Sequence, residues 1–231
     1  MKQLIAHSVF GLVACYSMIG RADDPQTTQR ADRPPVAPAD APHKNYVKKR
    51  LFVLTDIGAD PDDSMSLVRL LTYSDDIDIE GLVATTSAFQ KTRVEPEALH
   101  EIIHAYGKVQ PNLLLHDADY PAEEQLQSRV GSGPLLYGMS GVGEGHDSAG
   151  SEALIRALEK PDARPLWVAI WGGPNVLAQA LWKIRKTRSA KDAAALYAKL
   201  RIHAISDQDD SGPWIRGNFP TLFYIVTPGV E

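Results

Sequence analysis

Between Arg50 and Ser206, short uninterrupted apolar runs alternate with stretches whose apolar residues recur at helical spacing. That alternation leaves few folds open. The runs are RLFVLT (50–55), IEGLVATTS (79–87), PLWVAIWGG (165–173) and RIHAIS (201–206). An unbroken apolar run marks a strand covered on both faces. The helical stretches are DDSMSLVRLLTYS (62–74), EPEALHEIIHAYGK (95–108), SEALIRALEK (151–160), PNVLAQALWKIRK (174–186) and KDAAALYAKL (191–200). In the second of these a proline stands near the start and Gly107 near the expected end. Strands in β-α-β order predict an α/β domain with a parallel, Rossmann-like sheet flanked by helices. No internal repeat is present.

The 231 residues, 44% hydrophobic and 23% charged, suit one ordinary domain or a little more. The first 22 residues have the form of a signal peptide: Lys2, an apolar stretch from Leu4 to Ile19, then GRA before DDP. Cleavage after Ala22 is expected, with export to the periplasm or beyond. The stretch is too short and wrongly flanked for a membrane span. A rival reading takes LVAC as a lipoprotein box with Cys15 lipidated, but apolar residues continue past it as YSMIG. Cys15 is the only cysteine, so the mature domain would have neither disulfide nor thiol chemistry. Residues 23–49, rich in proline, alanine and charge, are expected to form an extended tether, with the folded domain starting near Arg50. The net charge of −5 becomes −7 when Lys2 and Arg21 leave with the signal peptide. With no basic patch either, nucleic acid and acidic membrane surfaces are not expected as partners.

In open parallel sheets, ligands bind at the carboxyl ends of the strands. The segments there are LTDIGADPDDSMSL (54–67), Thr85 to Gln90, Trp171 to Asn175, and SDQDDSG with Asp207, Asp209 and Asp210. The first places Asp56, Asp60, Asp62 and Asp63 within eight residues, with no lysine or arginine among them. Like charges so close repel, and a hard cation neutralises them. A solvated turn with Asp62 and Asp63 at the positive end of a helix dipole accounts for the spacing equally well. The position directly after a buried strand favours the cation site.

LTDIGADPDDSMSL resembles the N-terminal signature of the inosine-uridine preferring nucleoside hydrolases, often D-T-D-I-G-x-D-x-D-D-A-x-A-L. GLVATTS resembles their second strand, and VAIWGGPNVLAQAL their strand, G-P-x-T-N turn and helix. The likeness runs from residue 50 to about 220. It is closest to the exported bacterial subgroup often labelled cellulose- or sugar-binding. The resemblance implies a nucleoside hydrolase type sheet and a calcium ion held by Asp56, Asp63 and the carbonyl near Pro174. It also implies a sugar or nucleoside ligand whose 2′-hydroxyl meets Asp62. Asp56 or Asp60 would help deprotonate the attacking water, Asn175 would support the metal loop, and Asn218 would reach the sugar. Calcium takes six to eight hard oxygen ligands and activates water. Carboxylates stabilise the oxocarbenium-like state of N-glycosidic cleavage. The implied function is calcium-dependent hydrolysis of N-glycosyl bonds, the alternative a non-catalytic carbohydrate-binding protein on the same fold.

Three departures stand out. Leu54 replaces the first aspartate of D-T-D, and Gln90 is the only candidate for the asparagine after the threonine pair. The family's last metal aspartate lies on a later strand than this sequence contains, so an incomplete C-terminus is expected. Apolar sequence around Phe219 to Val226 is then expected to be exposed and to favour association of copies.

HEIIH (100–104) fits the H-E-x-x-H of zinc peptidases, with Glu124 twenty residues beyond His104 as a third ligand. Leu99, Ile102, Ile103 and Tyr106 make the buried stripe of that helix, leaving His100, Glu101 and His104 on a solvated face. His203 is expected in the core. His146 and Asp147 are expected in a loop ending in a helix cap through Asp147 or Ser148. Trp171 and Trp214 suit sugar stacking or rim packing.

Overall fold

β1, Lys49–Thr55, is the centre from which the sheet grows in both directions. The computed structural model describes residues 46–227. Among them the other strands are β2 (Ile77–Ala84), β3 (Val130–Ser132), β4 (Leu166–Ile170), β5 (Leu200–Ala204) and β6 (Tyr224–Val226). The helices are α1 (Pro61–Leu71), α2 (Pro96–Leu113), α3 (Glu123–Gln127), α4 (Ala149–Glu159), α5 (Asn175–Thr187), α6 (Ala190–Ala198) and α7 (Ser211–Asn218). The strand order is β3-β2-β1-β4-β5-β6, every neighbouring pair parallel. β1 therefore meets β2 on one side and β4 on the other. The crevice at their carboxyl ends is where a doubly wound sheet binds ligands.

Alternate residues of the strands feed two cores. Phe52, Leu54, Val83, Leu166, Val168, Ile170, Leu200 and Ile202 pack with α4, α5 and α7 residues such as Leu154, Leu177, Leu181 and Ile215. On the opposite face Val53, Leu82 and Ala84 pack with Leu67 and Leu71 of α1 and Leu99, Ile103 and Tyr106 of α2. The second face is covered only in part. β4 and β5 alternate between buried and half-exposed residues. Trp167, Ala169 and His203 line an open apolar groove with Leu51 and Ile77.

The expected α/β order holds, with four differences. α2 runs on through Gly107 and Pro111 to Leu113, with the Glu123 side chain of α3 lying against Gly107. Three-residue β3 lies in a stretch without strand periodicity and forms by pairing with β2. α7 and β6 extend the domain past RIHAIS. Phe219, expected to be exposed, is buried against the rings of Tyr197 and Trp214, whereas Phe223 and Ile225 are exposed. The first described strand begins at Lys49. Arg50 is fully buried, its guanidinium paired with Glu80 and donating to the Ala157 carbonyl. The expected signal peptide, Cys15 and all but the last few residues of the expected tether lie outside the described residues. No described helix is long and apolar enough to cross a membrane.

Candidate functional site

The chain leaves β1 at Asp56 and turns through Gly58, whose φ of +93° suits glycine. α1 then starts at Pro61, a favoured first helical residue because its missing N–H would have no helical partner. Asp63, in the first turn of α1, folds back onto the end of β1, where the Thr55 hydroxyl donates to its Oδ2. Thr55 Oγ1 in turn accepts from the Ile57 amide at 3.1 Å. From the end of β2, the Ser87 hydroxyl donates to Asp56 Oδ2. Both residues are 6% exposed, and the two carboxyls are near enough for the Asp56 charge to act on Asp63. Among the described residues no lysine or arginine pairs with either. Burial, reinforced by the neighbouring charge, pushes the Asp63 carboxyl up to about 7; burial also raises Asp56. One proton, or a cation, must accompany this pair.

The turn after β4 closes over the pair. A Cβ on Gly172 would lie 2.7 Å from the Asp56 amide and 2.9 Å from Thr85 Oγ1, so only glycine permits this approach. The Gly173 amide donates to the Thr86 carbonyl at 3.0 Å. Asn175 Nδ2 donates to Thr86 Oγ1 and to the Leu136 carbonyl, both at 3.0 Å, joining β2, β4 and the segment after β3. Asp209, after β5, is 5% exposed, and its Oδ1 accepts from the Ser211 amide at 2.7 Å. Burial pushes its carboxyl up to about 6. Thr85 Oγ1, Asn175 Oδ1 and Asp209 Oδ2 are buried without a hydrogen-bond partner. Oxygen donors with no protein cation to balance them fit a hard cation in their chemistry. Among the described residues, however, no group of three or more His, Cys, Asp or Glu side chains is arranged to hold a metal ion.

Of the residues expected at the site, the fold brings Asp56 and Asp63 together and sets Asn175 against Thr86, next in sequence to the Ser87 that holds Asp56. Asp62 is exposed, yet close enough for its charge to raise both buried carboxyls. Asp60 is exposed at the N-cap of α1, without a side-chain capping bond. The Pro174 carbonyl accepts the Ala178 amide at 3.0 Å and so begins α5. Trp171 packs its ring against the α1–α2 core, and its carbonyl accepts from Gln208. Gln90 is buried and donates to the Ile57 carbonyl at 3.3 Å, bracing the turn after Asp56. Asn218 stands apart, accepting from Arg185 at 3.3 Å. Arg185 lies ten residues along α5 from Asn175, about 15 Å by helical rise.

Ser87 and Thr55 are the contributions that sequence patterns missed, whereas Asp209 belongs to the acidic rim segment that the sequence singled out. The only signal for Ser87 and Thr55 was a place just after, or at the end of, an apolar run. The HEIIH side chains face α3: His100 Nδ1 meets Gln127 Oε1, and His104 Nδ1 meets Glu123 Oε1 at 2.9 Å. The capping residue before α4 is Ser148, which accepts from the Ser151 amide. Asp147 instead accepts from Gln179 and Lys183 of α5.

Residues 50–231 match the model of a family described as "Cellulose-binding Sde182, nucleoside hydrolase-like domain". The chain belongs to this family. A solved structure similar to this Sde182-type domain is that of a nucleoside hydrolase-related hypothetical protein from Saccharophagus degradans, associated with carbohydrate metabolism. The two are 42% identical with a TM-score of 0.76, over 78% of this chain and 44% of the other. The present chain thus spans less than half the length of that relative. A search of curated proteins found no match. In this Sde182-type domain the buried aspartate pair follows the first strand, and among the described residues Asp209 adds a third buried carboxyl after β5.

Proposed function

We propose that the crevice between β1 and β4 is a calcium-dependent centre that hydrolyses the N-glycosyl bond of a ribosyl or related sugar substrate. The observation that carries this reading is the contact between two buried carboxyls, Asp56 and Asp63, without a protein cation beside them. Calcium, when bound, would neutralise the pair and lower the pKa of water. The protein's own groups do the positioning. Thr55 and Ser87 each hold one carboxylate oxygen, leaving Asp63 Oδ1 and Asp56 Oδ1 for the cation or a proton. Asp62, on the exposed side, is placed to accept a hydrogen bond from a sugar hydroxyl. With the pair neutralised, the negative charge of Asp62 favours positive charge developing on a sugar ring.

A second reading keeps the sugar and removes the chemistry, making the domain a carbohydrate-binding protein. It is supported by the cellulose-binding description of the family and by the exposed position of Asp60, away from the buried pair. Ribose release from inosine, uridine and p-nitrophenyl riboside, with calcium and after chelation, tests the first reading. Calcium-dependent release is expected. Retention on cellulose without any release would replace hydrolysis with binding.

A further inference from the structure

Phe89 is 71% exposed, the most exposed large hydrophobic side chain among the described residues. It does not sit on a loose loop. The Ser87 and Gln90 backbones bond to each other in both directions, at 3.0 and 3.2 Å. The Phe89 and Gln90 amides both donate to Ser87 Oγ, at 3.0 and 3.1 Å. That same hydroxyl donates to Asp56, and Gln90 is buried beneath. The turn is therefore fixed to the carboxylate pair at one end and to the core at the other, holding an aromatic ring out in water. Leu135 and Leu136, 64% and 47% exposed, occupy the adjoining loop. That loop meets the Phe89 loop where Lys91 lies over the Tyr137 ring, and meets the site where Leu136 accepts from Asn175. The acidic, acceptor-rich site thus has exposed aromatic and apolar side chains on the loops beside it.

A ligand matching both has hydroxyl donors along an edge and an apolar face, which is the chemistry of a sugar ring. We propose that Phe89 is a stacking platform for the ring of the sugar-bearing ligand held at the Asp56–Asp63 crevice. This rests on the reading that the crevice binds such a ligand, catalytically or not. A rigid aromatic side chain loses little conformational freedom on binding, and its contacts contribute beyond the buried area.

Cellopentaose and inosine serve as probes, separating a glucan from a nucleoside as the source of the ring. Calorimetry with calcium present would compare wild type, Phe89→Ala and Phe89→Trp, each also titrated with calcium alone. The expected result is about tenfold weaker binding of the recognised probe by Phe89→Ala, equivalent to ~1.4 kcal/mol. Calcium affinity should be unchanged. Phe89→Trp should retain the probe and show a change in fluorescence on binding that wild type lacks. Equal probe affinity in wild type and Phe89→Ala would overturn the platform while leaving the ligand site intact. Wild type that binds calcium but neither probe would overturn the platform together with the sugar-binding reading.

Discussion

Asp63 is anchored by Thr55 and pressed against Asp56, so its carboxyl responds to protons and cations in a way that a surface aspartate would not. Its pKa rises from the ordinary 3.8 to about 7, so between those values the folded chain binds more protons than the unfolded one. Stability from this group is complete below about 4 and is lost as the pH climbs towards 7. In metal-free protein the melting temperature should therefore fall between pH 4 and 7.5, and Asp63→Asn should flatten that fall. Added calcium should raise the melting temperature of wild type at pH 7.5 and leave Asp63→Asn unmoved. Calorimetric scans in chelator and in calcium would measure both effects. A calcium response equal in the two proteins would remove Asp63 from the cation site.

α2 shows how an element can carry a catalytic-looking motif for structural reasons. His100, Glu101 and His104 lie on the helix face away from Leu99 and Ile103, as the periodicity predicts, yet that face is not simply solvated. α3 packs beside it, and the two imidazoles meet Gln127 and Glu123. His104 is largely exposed, so His104→Ala should change stability by about 0.5 kcal/mol or less. His100 is half-buried against Gln127, and His100→Ala should cost about 1 kcal/mol, the worth of an ordinary net hydrogen bond. Chemical denaturation would show this order, and metal analysis should find negligible zinc in wild type and both variants. Stoichiometric zinc lost on either substitution would restore the peptidase reading.

At the scale of the whole molecule the sheet is covered unevenly. α1 and α2 cover one face over β1 and β2. Further along that face, Trp167, Ala169 and His203 line an open groove, with exposed Phe223 and Ile225 towards the far edge. Parallel sheets are ordinarily covered on both faces, so this much accessible apolar surface is unusual. A hydrophobic dye such as anilinonaphthalene sulfonate should bind the native chain at neutral pH. Ile225→Lys with Phe223→Ser should reduce that fluorescence by more than half without lowering the melting temperature. Undiminished dye binding by the variant would remove the groove as the binding surface, and absence of dye binding by the native chain would show that it is closed in solution.

The sequence by itself determined the α/β class, the parallel order and the rim on which Asp56 and Asp63 stand. These follow from local chemistry, because an unbroken run such as RLFVLT can only be a doubly covered strand when helices flank it. It also determined which face of α2 is buried, since helical periodicity needs no knowledge of the partner. Tertiary structure alone decided that β1 neighbours β4, which brings Gly172 against Asp56 and Ser87 onto the same carboxyl. Asp60 and Asp63, three residues apart, differ in role because α1 turns one inward and leaves the other in water. β3 and β6 have three residues each, too few to show a period, and exist only through the strands they pair with. Asn218 shared a polar loop signature with the site residues, but α7 carried it to the far part of α5. Contacts between residues distant in sequence depend on strand order and helix placement, and no local pattern records either.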